Sequence, residues 1–124
     1  MSYKILLAED DEDNRDLVEF VIKRSRMNLE LLIAENGKIA VDMAREHIPS
    51  IILMDMQMPV MDGYTAVQIL KADPATMQIP IIAFTAQSRP EDRARTLQMG
   101  CVEHYSKPMD PEELLTVIQR YMQK

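Results

Sequence analysis

Short apolar runs alternate with amphipathic stretches along the whole chain. A short apolar run bounded by turn residues indicates a buried strand, and apolar residues three and four positions apart indicate a helix packed on one face. The pattern predicts strands at Lys4–Ala8, Leu29–Ala34, Ile51–Met54, Ile79–Phe84 and Val102–Ser106. It predicts helices at Asp13–Arg26, Lys38–Glu46 and Tyr64–Ala72, a fourth from a Ser88–Glu91 capping box to Met99, and a fifth from an Asp110 N-cap to about Met122.

A strand followed by a helix occurs five times in this pattern. Such alternation is typical of a parallel sheet covered by helices on both faces, and five units are too few for an eight-stranded barrel. We therefore expect an open, doubly wound α/β sheet forming a single domain over residues 1–124. Ligands of such sheets bind beyond the carboxyl ends of the strands, so functional residues are expected directly after Ala8, Met54, Phe84 and Ser106.

The composition is that of an ordinary globular protein, with 124 residues of which 47% are hydrophobic and 27% charged. The 14 basic and 20 acidic residues give a net charge of −6, which disfavours binding to nucleic-acid phosphates. The apolar run Ile5–Ala8 is too short for a signal peptide or a membrane span. Cys101 is the only cysteine and is expected to be a small buried residue. We expect a cytoplasmic protein that contacts neither nucleic acid nor membrane.

Carboxylates follow two of the predicted strands. Glu12 and Asp13 fit the first turn of a helix, where the helix dipole favours acidic residues. Glu9 and Asp10 come directly after the first predicted strand, which is buried, and unpaired carboxylates are costly there. Asp55 follows the third predicted strand, which is expected to lie beside the first. Oxygen ligands without imidazole or thiolate favour Mg²⁺, Ca²⁺ or Mn²⁺.

A hydroxyl and an ammonium group follow the last two strands, at Thr85 and Lys107. Taken alone, each has an ordinary explanation, as a β-forming residue and as a surface lysine. Together with the acids they supply what transfer of a phosphoryl group to a carboxylate requires, namely a nucleophile, a divalent cation, a fixed cation and hydrogen-bond donors.

The sequence resembles the response-regulator receiver domain of two-component signalling in the segments Ile5–Asp10, Leu53–Gly63, Pro80–Ala86 and Tyr105–Pro108. The resemblance covers essentially the whole chain. It implies a flavodoxin-like (βα)5 fold whose five-stranded parallel sheet has the order 2-1-3-4-5. It also implies that a sensor histidine kinase or a histidine phosphotransfer protein donates the phosphoryl group, and that a downstream protein reads the result.

The same resemblance assigns the metal site. Asp55 would be the phosphoacceptor and a direct ligand of Mg²⁺, with Mn²⁺ as a substitute. Asp10 and the backbone carbonyl of Gln57 would also bind the metal directly, whereas Glu9 would act through a metal-bound water.

The resemblance also assigns the groups that bind the phosphoryl oxygens. The hydroxyl of Thr85 and the backbone N–H of Ala86 would donate hydrogen bonds. Lys107 would pair with a third oxygen, next to a cis peptide bond to Pro108.

Phosphorylation would draw Thr85 inward and alter the face made by the fourth helix, the fifth strand and the fifth helix. In the family an aromatic ring three residues before the lysine fills the space that the threonine leaves, and His104 occupies that position here. His104 is either a smaller switch ring or a half-buried residue without that role. Gln57 and Gln87 occupy positions at which the family tunes the lifetime of the phosphoryl group.

Other classes of protein fit the sequence less well. A Mg²⁺-dependent phosphatase with an aspartyl nucleophile usually carries a second aspartate where this chain has Gln57. A phosphate-independent interaction module would lack a member of the pocket, and a flavin-binding protein would have a glycine- or hydroxyl-rich loop after the first strand. We expect a receiver that catalyses only its own phosphorylation and dephosphorylation. With no output segment expected after the fifth helix, its output is expected through partner binding, or the chain is a phosphate shuttle. A receiver cut from a larger regulator or hybrid kinase would have the same sequence.

Overall fold

The computed structural model describes residues 3–86 and 88–122, so Gln87 and its predicted role lie outside the described residues. The strands are Tyr3–Ala8 (β1), Leu29–Ala34 (β2), Ile51–Met54 (β3), Ile81–Thr85 (β4) and Glu103–Ser106 (β5). The helices are Glu12–Arg24 (α1), Gly37–His47 (α2), Gly63–Ala72 (α3), Pro90–Gln98 (α4) and Pro111–Met122 (α5). The sheet is parallel throughout with the order β2-β1-β3-β4-β5, which confirms the predicted doubly wound fold.

The strand order reverses between β1 and β3, because β2 lies on one side of β1 and all later strands lie on the other. In the register of these two strands Ala8 is paired with Met54, so both strands end at the same level. Glu9 and Asp55, the next residues along the chain, therefore leave the sheet side by side. This is the place where open α/β sheets bind their ligands.

Two apolar clusters sandwich the sheet, because successive strand residues point to opposite faces. In β1, Leu6 and Ala8 belong to the cluster that packs against α2 and α3, while Ile5 and Leu7 belong to the cluster that packs against α1 and α5. Burial on both faces explains why the strands consist of continuous apolar runs rather than alternating patterns. Cys101 lies in the first cluster, as expected from its sequence context. None of the described helices is long and apolar enough to cross a bilayer.

The predicted capping box of the fourth helix is wrong by one residue. Helix α4 begins at Pro90, and the carboxylate that accepts a hydrogen bond from the Arg89 N–H, at 3.2 Å, belongs to Asp92 rather than Glu91. Proline at the first helical position fits this start, because it has no N–H to leave unpaired and its φ angle is already helical. Ser88 is thereby left outside the helix, and its hydroxyl contacts β5 instead.

The predicted start of the fourth strand and the predicted end of the first helix each differ from the structure by two residues. Strand β4 begins at Ile81 rather than Ile79, because the Ile79 N–H donates to Thr76 O at 3.0 Å in the preceding turn. Helix α1 ends at Arg24, since Arg26 has a φ angle of 61°, which is not compatible with a right-handed helix.

Candidate functional site

Three carboxylates converge where β1 and β3 end. The side-chain oxygens of Glu9, Asp10 and Asp55 lie within 4.8 Å of one another. Glu9 and Asp55 are buried, with 0% and 3% of their surface exposed, whereas Asp10 is open to solvent. The structure therefore brings together the three acids that the sequence singled out.

Lys107 reaches into this cluster from the loop after β5. Its Nζ lies 2.7 Å from Asp55 Oδ2 and 2.5 Å from Glu9 Oε1. The Lys107 backbone N–H donates to Thr85 O at 3.1 Å and ties the loop to β4. The peptide bond from Lys107 to Pro108 is cis, as the resemblance implied. Burial acts to lower the pKa of Lys107, but its hydrogen bonds to Asp55 and Glu9, together with the negative charges of these two carboxylates, hold the pKa above its ordinary value.

Glu9 is a buried acid with an unusual proton affinity. Burial raises its pKa to about 7, and the charge of Asp55 adds to the effect, while hydrogen bonds from Lys107 and from the Asp11 N–H oppose it. The Asp11 N–H donates to Glu9 Oε2 at 3.1 Å, and Glu9 Oε1 forms an ion pair with Lys107 Nζ. One lysine does not balance three carboxylates. The donor set consists of hard oxygens with excess negative charge, and it fits Mg²⁺ or Mn²⁺.

Thr85 ends β4 on the other side of the pocket. Its side chain is buried, with 1% of the residue exposed, and Oγ1 has no hydrogen-bond partner among the described residues. A buried hydroxyl without a partner costs about 1–3 kcal/mol, so this one is placed for a ligand oxygen. Ala86 follows directly and is exposed.

The loop after β3 contributes a hydrogen bond to the carboxylate of Asp55. The Gln57 N–H donates to Asp55 Oδ1 at 3.0 Å, so each oxygen of this carboxylate has a partner. The loop closes when the Gly63 N–H donates to Met56 O at 3.1 Å. A Cβ at Gly63 would lie 2.2 Å from the carbonyl oxygen of Asp55, which explains why glycine begins α3. The role of the Gln57 carbonyl as a metal ligand stays a prediction.

Sequence reasoning missed two residues that support the acids. Asp11 is the N-cap of α1, and its side chain accepts a hydrogen bond from the Asp13 N–H at 3.0 Å. Arg15 Nη1 donates to the backbone carbonyls of Glu9 and Asp10, at 3.2 and 3.0 Å. The run of acids before a helical stripe signals an N-cap and could have identified Asp11. No local pattern identifies Arg15.

His104 is fully buried rather than half-buried, with 2% of its surface exposed. Both ring nitrogens contact hydroxyls: Nε2 lies 3.1 Å from Ser88 Oγ, and Nδ1 lies 2.8 Å from Thr96 Oγ1. Burial lowers the pKa of His104, the cationic Arg93 lowers it further, and the carboxylate of Asp92 opposes them. The lowered pKa favours the neutral form of the ring at pH 7.

Comparison with known proteins identifies relatives of the same size and fold. Residues 5–119 match the family model of the response regulator receiver domain. The chain is 36% identical over 122 residues to the polar-differentiation response regulator DivK of Brucella anthropi, and the match covers 98% of each chain.

Two solved structures carry a metal in the corresponding fold. The receiver domain of sensor histidine kinase PA1611 from Pseudomonas aeruginosa PAO1, with a magnesium ion coordinated in its active-site cleft, has a TM-score of 0.89 and 31% identity over 100% of both chains. The Mn²⁺-bound form of response regulator Rcp1 has a TM-score of 0.81 and 26% identity, covering 95% of this chain and 90% of that one.

Proposed function

Because this chain belongs to the response regulator receiver domain family of two-component signalling, we propose that it accepts a phosphoryl group on Asp55 in a Mg²⁺-dependent reaction. The observation that carries the proposal is the contact of 2.7 Å between Oδ2 of the buried Asp55 and Lys107 Nζ, beside two further carboxylates. We propose that residues 1–124 form one receiver domain and that it works in the cytoplasm.

The proposed metal site uses the acids at the ends of β1 and β3. Asp10, Asp55 and the backbone carbonyl of Gln57 would bind Mg²⁺ directly, and Glu9 would bind it through a water. When bound, the ion neutralises the oxygens of the incoming phosphoryl group. The excess of carboxylates over ammonium groups in the pocket supports this assignment, and Mn²⁺ would fit the same ligands.

The proposed reaction is an in-line displacement. A carboxylate oxygen of Asp55 attacks phosphorus, the new O–P bond forms as the P–N bond to the donor histidine breaks, and the electron pair of that bond leaves with the imidazole. Lys107 Nζ already contacts the carboxylate of Asp55 and would pair with a phosphoryl oxygen. The hydroxyl of Thr85 would gain the hydrogen-bond partner that it lacks, and the Ala86 N–H would donate to the third oxygen.

The proposed partners follow from the family. A sensor histidine kinase or a histidine phosphotransfer protein would donate the phosphoryl group, and a downstream protein would bind the face formed by α4, β5 and α5. The relatives are regulators rather than turnover enzymes. Self-catalysed phosphorylation and dephosphorylation are therefore the only chemistry that we propose.

The test is incubation with acetyl phosphate and Mg²⁺ followed by intact mass measurement. We expect one phosphoryl adduct on the wild type and none on Asp55→Asn, which keeps the shape of the side chain. Asp42→Asn is the matched control, because Asp42 is exposed on α2 and pairs with Lys38 outside the pocket. Steady hydrolysis of a generic phosphate ester would contradict the proposal and favour an aspartyl-nucleophile phosphatase.

A further inference from the structure

Helix α4 is attached to the rest of the molecule with little apolar packing. Of the residues Pro90–Gln98, only Thr96 is buried, and Leu97 has 40% of its surface exposed. Among the described residues, neither apolar cluster of the core includes a residue of this helix. Polar contacts must therefore account for much of its position.

Those polar contacts converge on His104. Thr96 Oγ1 lies 2.8 Å from its Nδ1, and Arg93 Nη1 donates to its backbone carbonyl at 3.3 Å. The ring's other nitrogen, Nε2, lies 3.1 Å from the hydroxyl of Ser88, just before the helix. The imidazole thus joins the start and the middle of the α4 region to β5.

The contacts around the ring outnumber the available protons. Ser88 Oγ also lies 3.3 Å from Thr85 O, and Thr96 Oγ1 lies 3.0 Å from Arg93 O, so four contacts each need a proton. Each hydroxyl supplies one proton and a neutral imidazole supplies one N–H, which makes three. One of the four contacts is therefore always without a hydrogen bond.

The tautomer of His104 decides whether that contact belongs to the Ser88 hydroxyl or to the Thr96 hydroxyl. With the proton on Nε2, the ring donates to Ser88, and the Ser88 hydroxyl is free to donate to Thr85 O. With the proton on Nδ1, the ring donates to Thr96, and the Ser88 hydroxyl has one proton for two acceptors, Nε2 and Thr85 O. Thr85 O already accepts a hydrogen bond from the Lys107 N–H at 3.1 Å, so the Ser88 hydroxyl donates to Nε2 and its bond to Thr85 O is lost. The network has two arrangements, and they differ at the residue that ends β4 in the phosphoryl pocket.

We propose that His104 anchors α4 to β5 through both ring nitrogens, and that Ser88 couples the tautomer of His104 to the position of Thr85. The second part rests on the proposed function, because phosphorylation is what would move Thr85. The charged groups that face the ring are Asp92 and Arg93 on α4. In this proposal phosphorylation changes which hydrogen bond Ser88 makes, while the buried ring of His104 keeps its position.

The first experiment tests the anchor in the unmodified chain. We expect Thr96→Val, which keeps the shape and removes the hydroxyl, to speed amide hydrogen exchange in α4 by about fivefold to tenfold, the equivalent of one lost hydrogen bond. Thr96→Ser keeps the hydroxyl and should restore slow exchange. Exchange in Thr96→Val as slow as in the wild type would overturn the anchor.

The second experiment tests the coupling with ¹⁵N-labelled histidine, since ring ¹⁵N shifts distinguish the tautomers. The chain has two histidines, and His47 at the end of α2 serves as an internal reference whose signals should not change. We expect acetyl phosphate with Mg²⁺ to shift the His104 signals in the wild type. Ser88→Ala should gain the same phosphoryl mass without that shift.

The mass measured on the same samples separates the two proposals. A phosphorylated wild type with unchanged His104 signals, or an equal shift in Ser88→Ala, would overturn the coupling and leave the proposed function standing. A wild type without a phosphoryl adduct would overturn the proposed function and the coupling with it, while the exchange data still decide the anchor.

Discussion

Lys107 Nζ lies 2.7 Å from Asp55 Oδ2, although 52 positions separate the two residues in the chain. The proposed phosphoacceptor therefore carries its counter-ion before any phosphoryl group arrives. The same ammonium lies 2.5 Å from the buried Glu9, so one cation serves two buried carboxylates. A phosphoryl group adds negative charge to a pocket in which the one ammonium group already pairs with two carboxylates. The pocket can therefore accept this charge only if a second cation binds.

Removing the shared cation should be costly. We expect Lys107→Ala to lower the free energy of unfolding by about 3 kcal/mol, because it leaves two buried carboxylates without their partner. Mg²⁺ should restore part of the loss by neutralising the same groups. Urea unfolding with and without Mg²⁺ measures both effects. Lys38→Ala is the control, since its exposed pair with Asp42 should contribute less than about 1 kcal/mol. Equal losses in the two variants would contradict the account.

The unpartnered hydroxyl of Thr85 predicts opposite effects before and after phosphorylation. Thr85→Val keeps the shape and removes an unsatisfied buried group, so the unmodified chain should gain about 1 kcal/mol of stability. The phosphorylated chain should lose a hydrogen bond, and its difference in stability from the unmodified chain should shrink. Denaturant unfolding of both forms tests this, with Thr85→Ser as the variant that keeps the hydroxyl. A destabilised unmodified Thr85→Val chain would show that the hydroxyl already has a partner.

The start of α3 is tied to the phosphoacceptor through Gly63. A Cβ there would lie 2.2 Å from the backbone oxygen of Asp55, so Gly63→Ala must push the loop or the strand aside. We expect a loss of about 1–3 kcal/mol in stability and slower phosphorylation by acetyl phosphate. Gln68→Ala, at an exposed position of the same helix, should change neither quantity. Normal phosphorylation kinetics in Gly63→Ala would argue against a rigid loop.

His104 predicts a pH dependence of stability with a definite sign. Its pKa in the folded chain lies below the ordinary value of 6.5, so below pH 6.5 the unfolded chain takes up a proton that the folded chain refuses. The stability due to this group is thus complete above pH 6.5 and is lost as the pH falls toward the folded pKa. Unfolding measured from pH 7.5 to 5.5 should show a steeper decline for the wild type than for His104→Gln. Parallel curves would contradict the lowered pKa.

The sequence predicted the sheet and the acids of the site for the same physical reason. Strands buried on both faces are continuous apolar runs, and the carboxyl ends of parallel strands meet at one edge, so Asp55 had to come near Glu9. The same logic placed Thr85 and Lys107 at that edge. Patterns along the chain were sufficient because each of these residues is defined by the strand that it follows.

What the sequence could not predict depends on contacts between elements. The hydroxyls of Ser88 and Thr96 look like ordinary capping and helix-surface groups until α4 is placed against His104. The start of α4 was misplaced because Ser88 fits a capping box, and Pro90 at the first helical position decided otherwise. Arg15 contacts backbone carbonyls, which leave no trace in the pattern of side chains.

The most direct test of the central claim is to locate the phosphoryl group after reaction with acetyl phosphate and Mg²⁺. The account predicts an adduct that hydroxylamine removes, as expected of an acyl phosphate, and that peptide mapping places on Asp55. An adduct that resists hydroxylamine, or one that persists in Asp55→Asn, would contradict it.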